Sequence, residues 1–85
     1  MPYTKQQFRK LKLPERYKCL KQDGTHIGVR MQGVHRIHLF AYAGFYVEIW
    51  IIISLDQIHW IEIQENNSIL SGYAEQVDIK KDLGL

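Results

Sequence analysis

The most regular pattern in the chain is FYVEIWIII, residues 45–53. Every second position gives Phe45, Val47, Ile49, Ile51 and Ile53, an apolar row without a break, and the set between them is Tyr46, Glu48, Trp50 and Ile52. Successive side chains of a strand point to opposite faces. One face is therefore a core face, and the other carries two aromatics and an isoleucine around one carboxylate. Shorter runs of the same kind flank this one, and together they predict four strands at about 26–31, 35–41, 45–53 and 57–64. The gaps between them suit hairpins, so the strands form an antiparallel meander.

The spacing changes on either side of the meander. In residues 4–23 it is helical, in two pieces. Thr4 caps TKQQFRKLKL, with Phe8 and Leu11 on one face. Pro14 suits the first turn of PERYKCLKQ, which Leu13, Tyr17 and Leu20 stripe and Gly24 stops. The other face, with Lys10, Lys12, Arg16, Lys18 and Lys21, reads as a solvated basic helix surface. After the strands, Asn67 or Ser68 caps a helix striped by Ile69, Leu70, Tyr73 and Val77, and Asp78 starts one further turn. Gly72 costs that helix about 1 kcal/mol relative to alanine. The fold class is α+β, in a single domain over residues 1–85.

Register follows from matching apolar positions across the hairpins, because antiparallel partners share a face. A three-residue loop Tyr42-Ala43-Gly44 pairs Leu39 with Val47 and Ile37 with Ile49, whereas a two-residue loop Ala43-Gly44 sets Arg36 and His38 against isoleucines. The three-residue loop is the expectation. Likewise Gln32-Gly33-Val34 pairs Val29 with Ile37 and Ile27 with Leu39, and Ser54-Leu55-Asp56 pairs Ile49 with Ile61 and Val47 with Ile63. The core face then carries Ile27, Val29, Met31, Ile37, Leu39, Ala41, Ile61 and Ile63 besides the row of strand three. His35 and His59 fall at its margin as structural histidines.

The second face, so read, holds Arg30, then Arg36, His38 and Phe40, then Tyr46, Glu48, Trp50 and Ile52, then Ile58, Trp60, Glu62 and Gln64. Monomers seldom expose so large an apolar patch without purpose. Tryptophan, tyrosine and arginine are also the residues in which interface energy concentrates. The expectation is that the terminal helices bury the core face and leave this face free for a partner. If one helical segment packs on each face, it is a second, smaller core.

Candidate chemistry changes this little. His38, Glu48 and Glu62 in one row offer a metal-ligand set or a histidine base with carboxylate partners, but a cross-strand row of this kind more often makes ion pairs. His35 and His38 point to opposite faces. Cys19 has no histidine near it in sequence, the serines sit at turns or caps, and no glycine-rich phosphate loop is present. No catalytic, cofactor-binding or metal-binding residue is expected, and the chain does not read as an enzyme.

Composition fits a folded domain: 85 residues, 46% hydrophobic, 12% aromatic, net charge +2. The single cysteine excludes an intrachain disulfide and suits a reducing cytosol. MPYTKQQFRK has no apolar signal region, and the longest apolar run is far below the roughly 20 residues of a membrane span. The expectation is a bacterial cytoplasmic protein that does not engage membranes. It is a non-catalytic interaction domain that binds protein, most simply as a homodimer, through Arg36, His38, Phe40, Tyr46, Glu48, Trp50, Ile52, Ile58, Trp60 and Glu62. The alternative is single-stranded RNA stacked on the same arginine and aromatic platform.

Overall fold

The computed structural model describes residues 2–82, with side chains as far as residue 74. Helices α1 (Lys5–Lys10) and α2 (Leu13–Asp23) precede strands β1 (Thr25–Gln32), β2 (His35–Tyr42), β3 (Phe45–Ile52) and β4 (Gln57–Ile63), and α3 (Asn67–Asp82) follows. The strands form one antiparallel sheet in the order β1-β2-β3-β4. The protein is α+β, as its patterning predicts.

Local chemistry accounts for the helix ends. Thr4 and Gln7 form a reciprocal capping box, each side chain accepting from the other's backbone N–H. Arg16 ties the α1–α2 corner to the sheet, its guanidinium donating to the carbonyls of Leu11 (3.1 Å), Arg9 (2.8 Å) and Ile61 (2.6 Å). Two of these are carbonyls that the end of α1 leaves without intrahelical partners. Gly24 ends α2 at φ −86°, so left-handed backbone is not why glycine stands there. A Cβ at Gly24 would lie 2.6 Å from the Leu20 carbonyl oxygen. The cap of α3 is Asn66, one residue earlier than its sequence suggests; its Oδ1 accepts from the N–H groups of Ser68 and Ile69. The helix runs without a break past Asp78. The place of Val77 in its apolar stripe lies outside the described side chains.

All three expected loops are corrected, the third only in that a bulge lengthens it to residues 53–56, with Ile52 opposite Gln57. Tyr42 pairs with Phe45 across a two-residue loop in which Ala43 (φ +50°) and Gly44 (φ +85°) are both left-handed. That is the primed turn whose twist matches a hairpin. Gln32 pairs with His35 across Gly33-Val34, with Gly33 at φ +59°. Only the β3–β4 register stands as expected, Ile49 against Ile61 and Val47 against Ile63, as far as a bulge beyond Trp50. The two one-residue differences cancel across β2. Thus β1, β3 and β4 largely keep their expected faces while β2 is inverted, so that Ile37 pairs with Trp50 and Leu39 with Glu48. Ile27 also changes side, because β1 bulges between His26 and Gly28.

The cause is that β2 is apolar on both sides. On the first face Phe8 of α1 and Leu20 of α2 pack with Tyr42, Phe45, Val47, Ile49 and Ile61. On the second, α3 lies over β1, burying Tyr73 with Ile37, Leu39 and Glu48. The helices therefore split between the faces, and the expectation that both cover one face is corrected. The sheet is the middle layer of three.

Candidate interaction surface

Glu48, at the centre of the opening pattern, has no solvent exposure. Its carboxylate accepts from Arg30 Nε (2.8 Å) and Nη2 (3.2 Å), from Gln64 Nε2 (2.7 Å) and from the Tyr73 hydroxyl (2.7 Å). Burial pushes its pKa up, but these hydrogen bonds and the Arg30 charge outweigh burial and hold the carboxyl below its ordinary value. The bond to Glu48 in turn raises the pKa of Arg30, and burial followed by that same carboxylate raises the pKa of Tyr73. Position 48 carries a charge because α3 and β1 bring partners to it, not because it meets water.

Beyond this network no described α3 side chain lines the second face. Trp50 pairs with Trp60 there. The Arg30 guanidinium lies over the Trp50 ring at 5.3 Å, and the His35 ring meets it edge-on at 5.2 Å. The Trp50 Nε1–H is buried with no acceptor among the described residues. Trp60 has Arg16 5.1 Å from its ring centre and remains 47% exposed. His35, Trp50, His59, Trp60 and Glu62 together line an open cavity of about 300 Å³.

The sheet end beside this cavity holds the turns of both outer hairpins, joined by the bond from Ile53 N–H to the Val34 carbonyl (3.0 Å). Here Met31 is 62% exposed, Val34 66%, Ile53 41% and Leu55 59%. Alternation assigns Met31 and Ile53 to the core face and Val34 and Leu55 to loops, so it does not single them out. The available signal was an apolar side chain, Val34 and Leu55, in the middle of a turn, where polar residues are the rule.

Of the ten residues expected to form one surface, Tyr46, Glu48, Trp50, Ile52, Trp60 and Glu62 share the second face. Glu48 is sealed among them and cannot touch a partner. Arg36, His38 and Phe40 lie on the first face, because β2 is inverted, and Ile58 joins them there opposite Ile51. The row His38, Glu48, Glu62 does not exist. Instead Arg36 donates to Asp56 (3.1 Å) and to His38 Nε2 (3.2 Å), and His38 Nδ1 lies 2.9 Å from His26 Nε2. An arginine only donates, which fixes both tautomers: His38 Nε2 is a bare lone pair, and its Nδ1–H donates to His26. Burial first, then the charges of His26 and Arg36, lower the pKa of His38. His35 and His38 point to opposite faces, as alternation requires.

Among the described residues no group of three or more His, Cys, Asp or Glu is placed to hold a metal ion, and no helix is long and apolar enough to cross a membrane. The class that the fold defines is a small α+β domain with an antiparallel sheet between two helical layers. No family model, curated protein or solved structure matches the chain.

Proposed function

We propose that the protein is a non-catalytic interaction domain that self-associates through the uncovered end of its sheet. The observation that carries this reading is the exposure of Met31, Val34, Ile53 and Leu55 at the sheet end that holds the turns of the outer hairpins, with Trp60 exposed on the second face. Apolar side chains in such a group favour burial by about 25 cal/mol per Å², and a two-fold axis through the patch would meet each copy's apolar end with the other's. The half-buried Trp50 and Ile52 lie behind it on the second face. The arginines that a nucleic acid would need are committed within the fold, Arg30 to Glu48 and Arg36 to Asp56 and His38. That favours protein over single-stranded RNA as the partner.

Light scattering from low to high concentration at two salt levels tests the reading. The expected result is a dimer that persists at high salt, since apolar burial is not screened whereas phosphate contacts are. Leu55→Asp and Val34→Asp alter exposed turn positions, so both variants should be folded monomers. A wild type that stays monomeric throughout would sink the proposal.

A further inference from the structure

All four histidines of the chain are engaged in pairs, and the two pairs differ in one decisive respect. In the first, His26 and His38, the Arg36 guanidinium already occupies the outer lone pair of His38. A cation there would face a fixed positive charge. Among the described residues no arginine or lysine is bonded to the second pair. His35 Nε2 and His59 Nδ1 lie 2.8 Å apart with ring planes 7° apart and centroids 5.0 Å apart. Nitrogens closer than the centroids, in nearly parallel rings, mean edges turned toward each other rather than stacked faces. Two ring nitrogens converge on one point.

The backbone is irregular where this happens. Trp50 pairs with Trp60 and Ile51 with Ile58, leaving His59 as the extra residue of a bulge. By alternation His59 would sit on the face opposite Trp60. The bulge re-aims it to the second face, beside His35. The cavity around the pair is lined by Glu62 as well, and by no lysine or arginine among the described residues. Its wall residue Trp50 carries a buried N–H without an acceptor.

We propose that His35 and His59 form an open site for a divalent transition-metal ion of the zinc or nickel kind, with water completing the shell and Glu62 supplying nearby negative charge. Imidazole suits these ions. Ligand nitrogens at about 2.0–2.1 Å in tetrahedral geometry stand about 3.3 Å apart, so the pair needs to open by a few tenths of an ångström. The exposed His59 ring can supply that movement. Each neutral ring then binds through its lone pair with its proton on the other nitrogen, Nδ1 of His35 and Nε2 of His59, and no proton is released. This inference does not depend on self-association, since both ligands come from one chain.

Titration calorimetry with Zn²⁺, and with Mg²⁺ as a hard-cation control, decides it. The expected result is saturable binding of one Zn²⁺ per chain with no Mg²⁺ response. His59→Gln and His35→Gln should each remove that binding, while His26→Gln leaves it intact. Binding should also persist in the Leu55→Asp background. No saturable Zn²⁺ binding, or equal binding in His59→Gln, would overturn the site. So would loss of binding in His26→Gln with its retention in His35→Gln.

Discussion

Glu48 shows how a single residue can be conspicuous in a sequence and still be misread. A carboxylate among aromatics was rightly marked as unusual, but its partners are Arg30, Gln64 and Tyr73, 18, 16 and 25 positions away. No local pattern links positions so far apart. Removing the charge should be costly: Glu48→Ala leaves the largely buried Arg30 unpaired and should destabilise by about 3 kcal/mol in urea unfolding. Tyr73→Phe removes one donor to the same charge and should cost about 2 kcal/mol. Two residues also set the acid response. Because the folded-state pKa of Glu48 is depressed, its contribution is complete above its ordinary value of 4.5 and is lost as pH falls below it. His38 is depressed as well, so its contribution is complete above 6.5 and declines below that value. Stability measured against pH should begin to fall near 6.5, and His38→Gln should flatten that first slope while leaving the one below 4.5.

At the scale of elements, strand positions were legible to within a residue or two, because alternation is strong and two of the three breaks are marked by glycine. The faces were not. Pairing apolar with apolar chooses a register only if one face is polar, and β2 has Ile37 and Leu39 on one side and Phe40 and Tyr42 on the other. The turns held the deciding information, since Ala43-Gly44 and Gly33-Val34 both place glycine where a two-residue loop demands positive φ. Glycine elsewhere has distinct meanings, and substitution separates them. Gly72 lies exposed within α3 with nothing near a Cβ, so Gly72→Ala should raise stability by up to about 1 kcal/mol. Gly24→Ala should lower it, since the new methyl meets the Leu20 carbonyl. Arg16→Lys keeps the charge but cannot reach three carbonyls at once, and should cost about 1–2 kcal/mol in thermal or urea unfolding.

For the whole molecule, the sequence left open whether the second face was a partner surface or a second core. The structure divides that face along its length. The half toward Tyr46 and Glu48 lies beneath α3, and no described α3 side chain lines the cavity at the half toward Trp50 and Trp60. Period-two patterning cannot report where along a strand a helix stops, which is why one row of residues served both purposes. The two tryptophans should consequently respond differently. Trp50→Arg places a second guanidinium against Arg30 in a half-buried position and should lower the melting temperature markedly. Trp60→Gln changes an exposed ring without setting a like charge beside Arg16 and should leave the fold intact while weakening self-association, as sedimentation or light scattering would show.

The inverted β2 also bears on how the chain reaches this state. A strand with two apolar faces has a rival pairing in which both hairpins take one more residue into their loops, Ile37 and Leu39 pack under Phe8 and Leu20, and Phe40 meets the helix on the other side. That arrangement loses Tyr42 from the core, together with its hydroxyl's bond from the Tyr3 N–H, yet it keeps most of the hydrophobic match. We predict that it acts as a kinetic trap, since collapse is faster than the selection of turns. Refolding should accordingly show a slow phase from escape out of the slipped hairpin. Ala43→Asn, which fits the left-handed position better than alanine, should diminish that phase by committing the β2–β3 turn first.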